Sequence, residues 1–307
     1  MDDHTDYDRR FGGIARLYGR AALDRFARAR VCVVGIGGVG SWAAEALARS
    51  AIGNLTLVDL DHVAESNMNR QIHALDTTLG LAKVAAMAER IARINRSCAV
   101  EQIEDFVEPD NLAVLLPPGK FDFVVDAIDS VKSKVALIAW CRKHGIALIT
   151  VGSAGGQIDA TRVRVADLAH TEHEPLLSRV RKRLRAQHDF PRNIKTKFGI
   201  DAVFSDEPLV YPPALEADAG AAEAGYGGRG SEAGQADEAD GQGGESARKL
   251  TGLNCSGFGS TVAVTAVFGF VAAGHVLLRL AAESSRKPAP AATICSPGVS
   301  QAVPIPD

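Results

Sequence analysis

Paired cysteines are what this sequence most plainly lacks. Its five cysteines, Cys32, Cys98, Cys141, Cys255 and Cys295, are odd in number and widely scattered, with no CxxC pair. That spacing argues against both a four-cysteine zinc site and a disulfide framework. A leader is missing too: the start, Met1-Asp2-Asp3-His4, carries neither a basic stretch nor an apolar one, so no export signal is expected and the cytoplasm is the expected compartment. Charged residues are few, 23% of 307 against 46% apolar, so the chain can bury a full α/β core as one large domain, with or without an appendage. One apolar run, GFGSTVAVTAVFGFVAAGHVLLRLAA over 257–282, is long enough to span a membrane. It contains His275, Arg279 and several small residues and has no aromatic belt, so it reads as a helix buried in the core or at a dimer interface, with no membrane insertion.

What is present alternates. Residues 9–30 read as one amphipathic helical segment, followed by the buried strand Val31 to Val34. A helix from Ser41 to Ser50, a strand from Leu55 to Asp59 and a helix from Leu81 to Asn95 come next. A strand over 121–127, a helix over 131–144 and a strand over 147–151 complete the pattern. Apolar strands alternating with helices predict an α/β fold, a doubly wound, mainly parallel sheet with helices on both faces.

Two segments break that pattern. Residues 179–197 carry eight cations (Arg179, Arg181, Lys182, Arg183, Arg185, Arg192, Lys195, Lys197) against one acid, Asp189. Residues 214–247 are almost wholly Ala, Gly, Ser, Gln and acids; with too little apolar surface to offset the entropy of ordering, they read as a disordered acidic insertion. The insertion's net charge of −7, set against −3 for the whole chain, leaves the rest at about +4, mildly basic.

The chemistry begins after the first strand. Gly35-Ile36-Gly37-Gly38-Val39-Gly40 follows a strand and opens a helix, the context in which glycines let a backbone approach a phosphate and helix amides hold its charge. Asp59, ending the second strand, suits a ribose diol. So far a nicotinamide or flavin dehydrogenase fits as well as an ATP enzyme. The next residues separate the two: Asp61, then Asn67-Met68-Asn69-Arg70-Gln71, Lys83, and Asp126-Ala127-Ile128-Asp129. Amide and cationic donors gathered at the sheet's C-terminal edge suit a triphosphate, and Asp129 suits Mg2+; hydride transfer needs neither.

GIGGVG, Asp59-x-Asp61, NxNRQ, Lys83 and Asp126-x-x-Asp129 together resemble the ubiquitin-activating-enzyme-like adenylyltransferases, which include the thiamine- and molybdopterin-biosynthesis activating proteins. RFGGIARLYG, VCVVGIGGVGSWAAEALARS, NRQIHAL, DAIDSV, GSAGGQID and CSGFGS resemble more closely its tRNA threonylcarbamoyladenosine dehydratase branch, over about residues 9–282. The resemblance implies an N-terminal helical arm (1–30), an ATP-binding adenylation domain (31–213) continued by 248–285 after the insertion, and a flexible tail (286–307). It implies ATP and Mg2+ as ligands, with Gly35, Gly37, Gly38, Gly40, Asn69, Arg70 and Lys83 on the phosphates and Gln71 also binding the nucleotide. Asp59, Asp61 and Asp126 complete the nucleotide site, and Asp129 takes the metal. Relatives lend an arginine across a homodimer; their RYxRQ pattern is replaced here by Arg10-Phe11-Gly12-Gly13-Ile14-Ala15-Arg16, so Arg10 or Arg16 takes that place. The zinc cysteines of many relatives are absent, so no zinc is expected; a monovalent cation is left open as a further ligand.

The implied reaction starts with attack of the threonyl carboxylate of the modified adenosine on the α-phosphate of ATP. The neighbouring urea-like group then displaces AMP to close a five-membered ring, with net loss of water. Proximity favours closure within one molecule, and Arg70, Lys83 and the Asp129 site stabilise phosphate charge, so no protein nucleophile is required. Cys255, just before the apolar helix, reads either as a small buried residue or as a thiol activated by the helix dipole. The basic stretch Arg179 to Lys197 reads as a solvated helix or, with the resemblance, as a contact for the anticodon stem-loop of tRNA. Its only aromatic besides His188 is Phe190, so the residues that stack on anticodon bases are not legible. Three rivals stand beside this reading: an activator of a ubiquitin-like sulfur carrier, a nicotinamide oxidoreductase, and a sulfur-acceptor partner of a cysteine desulfurase working through Cys255.

Overall fold

The structure, a computed structural model, describes residues 3–211 and 258–284. The insertion 214–247, Cys255 and the tail 286–307 lie outside the described residues.

Helices α1 (Asp3–Tyr18) and α2 (Arg20–Arg28) replace the single N-terminal helix expected over 9–30. The break falls at Gly19, whose φ of 90° is open to glycine and strained for other residues. Ala22, Leu23 and Phe26 form one buried face of α2, which packs against the body of the fold.

Seven strands follow in the order β3-β2-β1-β4-β5-β7-β6. They are β1 (Arg30–Val34), β2 (Asn54–Val58), β3 (Ala99–Ile103), β4 (Phe123–Asp126), β5 (Leu148–Val151), β6 (Val163–Asp167) and β7 (Asp201–Ser205). All neighbours are parallel except β6 and β7, so the expected α/β fold is observed with one antiparallel edge. The intervening helices are α3 (Gly40–Arg49), α4 (Lys83–Ile94), α5 (Leu112–Leu115), α6 (Val131–His144) and α7 (Pro175–Gln187). The final helix, α8 (Val262–Ser284), covers most of the long apolar run.

Side chains alternate across the sheet, so each strand feeds two cores. Val31, Val33, Leu55, Leu57 and Val125 face α2, α3, α4 and α8, while Cys32, Val34, Val124 and Phe204 face α5, α6 and α7. Length and composition alone would let α8 cross a membrane. Instead Val264, Phe268, Ala272, Val276 and Leu280, recurring every four residues, are buried against α2, α3 and the sheet.

The strand order places the site. The chain runs outward from β1 through β2 to β3, then returns to lay β4 on the other side of β1. Loops leaving β1 and β4 part in opposite directions there, opening the crevice in which ligands of open α/β sheets bind. Val34 is in register with both Val58 and Asp126, so Gly35, Asp59 and Ala127 leave the sheet at one level.

Candidate active site

The glycine loop is shaped by contact. Gly35 has a φ of +87°, and a Cβ there would lie 2.8 Å from the Ala127 carbonyl oxygen; at Gly40 it would lie 1.8 Å from that of Gly35. A side chain at Gly35 would push the β1 and β4 loops apart, and one at Gly40 would force the glycine loop itself open. No side chain caps α3, and the N–H groups of Gly37, Gly38 and Val39 have no acceptor among the described residues. Unpaired donors at a helix start form an anion site.

Asp59 follows β2 and is buried. Its Oδ2 accepts from Ile36 N–H (2.6 Å) and its Oδ1 from Asp61 N–H (2.9 Å), so the carboxylate ties the glycine loop to the second strand. Burial pushes its pKa up, against Lys83 and those two N–H groups, which lower it. Lys83, the first residue of α4, is only 6% exposed and donates from Nζ to Asp61 Oδ2 (2.7 Å). Arg70 lies along the glycine loop, its Cγ 3.2 Å from where a Gly38 Cβ would be. Its guanidinium is aimed by the Ser66 carbonyl (2.7 Å) and Asn69 Oδ1 (3.0 Å).

Below the β4 loop, Asp126 is fully buried. It accepts from Thr150 Oγ1 (2.7 Å) and Ile128 N–H (3.1 Å) and pairs with Lys134 Nζ of α6 (2.9 Å). This brace sets the turn that carries Asp129, which is exposed and has no protein partner among the described residues.

These parts enclose a cavity of about 620 Å³ lined by Gly35, Gly37, Gly38, Asp59, Asp61, Arg70, Gln71, Lys83 and Asp129. Nine of the residues singled out in the sequence therefore share one wall. Gly40, Asn69 and Asp126 do not line it: the first allows close packing, the second holds Arg70 and the third braces the Asp129 turn. Arg10 is engaged in its own chain, with Asp6 (2.9 Å) and the Ile94 carbonyl (2.9 Å). Arg16 is exposed and has no polar partner among the described residues.

The structure adds residues that the motifs do not reveal. Lys134 is the buried partner of Asp126; its only signal is a lysine among the apolar residues of a helix. Glu174, also buried, accepts from Ser153 N–H (2.8 Å) and caps α7 through Leu177 N–H, joining the loop after β5 to that helix. A carboxylate directly before a proline at a helix start is its sequence signature. Phe106 and Val107, in the loop after β3, and Thr265 of α8 also line the cavity.

The described cysteines are poor nucleophiles. Burial pushes Cys32 far up, Cys141 to about 12 and Cys98 to about 11. The basic stretch is part helix and part loop: α7 buries Leu176, Leu177, Val180 and Leu184 and turns its cations outward. Arg181 donates to Thr171 and Arg185 to the Pro191 carbonyl, but none of the eight cations is ion-paired among the described residues. Phe190 is buried under Arg142, whose guanidinium carbon lies 4.0 Å from the ring centre, so it offers no free face.

Comparison with known proteins agrees with this geometry. Residues 7–297 match the ThiF family. A tRNA threonylcarbamoyladenosine dehydratase of Escherichia coli strain K12 is 49% identical over 279 residues, 91% of this chain and 96% of that protein. The solved structure of an E. coli tRNA N6-threonylcarbamoyladenosine dehydratase in complex with ATP is 46% identical, with a TM-score of 0.76, covering 93% of this chain and 98% of that one. The corresponding complex with AMP is also 46% identical, with a TM-score of 0.75 over 93% and 98% of the two chains. The chain belongs to the ThiF family, in the group that holds the tRNA threonylcarbamoyladenosine dehydratases.

Proposed function

We propose that the chain is an ATP-dependent dehydratase that cyclises threonylcarbamoyladenosine beside the anticodon of tRNA. The observation that carries this reading is the cavity in which Arg70, Lys83, Asp129 and the unpaired amides of the glycine loop face one another, in a chain 49% identical to a dehydratase of that name. Asp59 accepts the ribose hydroxyls. Arg70, Lys83 and the loop amides hold the phosphates, stabilising charge as the threonyl carboxylate attacks the α-phosphate and pyrophosphate leaves. Ring closure then expels AMP, and the pocket's part is to keep carboxyl and urea in line.

Among the described residues no cluster of three or more His, Cys, Asp or Glu would hold a metal unaided. Asp129, exposed and unpartnered, fits a Mg2+ that takes its other ligands from phosphates and water and neutralises their charge. The stretch 179–197 contacts the tRNA backbone through unpaired cations, which gives salt-dependent affinity without base reading. The chain works as a homodimer, with Arg16 of each copy reaching the other's triphosphate and the exposed Phe270 and Leu278 of α8 supplying apolar contact area. Its place is the cytoplasm, where its substrates are.

The decisive assay incubates the protein with ATP, Mg2+ and modified tRNA. AMP release together with loss of one water from the modified nucleoside is the expected result. AMP release only with a ubiquitin-like carrier protein would shift the acceptor and sink the tRNA reading. The sulfur-acceptor reading depends on Cys255; dehydration that survives Cys255→Ser separates ring closure from thiol chemistry.

A further inference from the structure

Helix α8 begins beside the cavity and is fastened there. Asn69 Nδ2 donates to the Ser260 carbonyl (2.9 Å), so the residue that aims Arg70 also ties down the start of α8. Thr261 caps the helix: its hydroxyl accepts from Ala263 N–H (3.4 Å), and its carbonyl from the N–H groups of Val264 (3.2 Å) and Thr265 (3.1 Å).

One turn in, Thr265 is 1% exposed and lines the cavity, and its hydroxyl has no hydrogen-bond partner among the described residues. A buried threonine within a helix commonly donates to the carbonyl four residues back. Here that carbonyl serves two backbone donors and the hydroxyl does not reach it. An unpaired buried hydroxyl is costly, and a ligand that accepts its proton removes the cost. The groups sharing this wall are mostly donors: the Gly37, Gly38 and Val39 amides, Arg70 and Lys83. Of the carboxylates that line it, Asp59 is engaged by Ile36 and Asp61, and Asp61 by Lys83, while Asp129 has no protein partner among the described residues. None of these carboxylates accepts from the Thr265 hydroxyl.

We infer that Thr265 donates its hydroxyl proton to an anionic oxygen of the bound reactants, either a phosphate of the nucleotide or the carboxylate that attacks it. The second source rests on the function proposed above; the first does not. Thr265→Val keeps the shape and removes the donor, and Thr265→Ser restores it. Calorimetric titration with ATP and Mg2+ and turnover with ATP and modified tRNA separate the sources.

A loss of about ten-fold or more in ATP affinity for T265V, restored in T265S, assigns the oxygen to a phosphate. Unchanged ATP affinity with a similar loss in kcat, again restored by serine, assigns it to the carboxylate. The melting temperature of ligand-free T265V should not fall, since an unpaired hydroxyl is being removed. If T265V matches the parent in both measurements, or T265S falls as far as T265V, the inference is overturned. Should the parent bind ATP without dehydrating tRNA, the proposed function fails, and an unchanged ATP affinity in T265V then overturns this inference by itself. If T265V does not fold, Thr265→Ala takes its place in both measurements.

Discussion

Lys83 is almost wholly buried, yet its ammonium has a single protein partner among the described residues, Asp61 Oδ2 at 2.7 Å. An ammonium carries three donors, so the rest are free for the cavity. Replacing Lys83 with alanine should leave the fold intact, because Asp61 is half exposed and can be solvated. It should cut kcat for AMP release by about 10²- to 10³-fold, the usual loss when one donor to a developing charge is removed; near-parental turnover would mean that Lys83 is no part of the chemistry. His73, two residues beyond Gln71, has the opposite character: both ring nitrogens are buried without partners among the described residues. Burial, aided by Lys83 and Arg90, pushes its pKa down from 6.5 to about 4. Between those values the folded protein binds fewer protons than the unfolded chain, so stability is full above pH 6.5 and is lost as pH falls toward 4. The share is about 3 kcal/mol at most. Melting curves of His73→Leu from pH 8 down to 4.5 should show a shallower acid limb than the parent; an identical limb would assign the acid loss to other groups.

The brace of Asp126, Thr150 and Lys134 belongs to the scale of elements, for it locks α6 to the ends of β4 and β5. Removing one partner of a buried pair strands the other charge, so Lys134→Met should cost about 3–5 kcal/mol. Adding Asp126→Asn should recover part of that loss, and a double-mutant cycle from denaturant unfolding measures how much; strictly additive losses would show that the two groups do not act as a pair. Lys134 also illustrates what could be read without the fold. β1, β2, β4 and β5 announce themselves as apolar, β-branched runs because both their faces are buried. β3 (AVEQI) and β6 (VRVAD) are half-exposed edges and give no such signal, and the apolar face of α7 is hidden among cations. In the site, the residues next to strand ends were legible because strand ends in an α/β sheet converge on one edge. Lys134, Glu174 and Thr265 were not, since each meets its neighbours only once distant segments pack.

At the scale of the molecule, the sheet order creates the crevice, and the proposed homodimer would furnish it from two chains. Arg70 and Lys83 come from this chain, while the N-terminal segment offers Arg16, exposed and unpartnered among the described residues, beside an Arg10 already engaged by Asp6 and Ile94. If Arg16 serves the neighbouring copy's triphosphate, the defects of Arg16→Ala and Lys83→Ala fall in different sites of a mixed dimer. One site then has the intact Lys83 of the first subunit and the intact Arg16 of the second; the other site has neither. After subunit exchange in an equal mixture, about half the dimers are mixed and half of their sites are whole, so activity should return to about a quarter of the parental value from two nearly inactive parents. Sedimentation velocity on the same mixture shows whether dimers are present. A dimer without recovered turnover would place Arg16 in its own chain's site or in none, and a monomer of parental activity would remove the need for a second copy altogether.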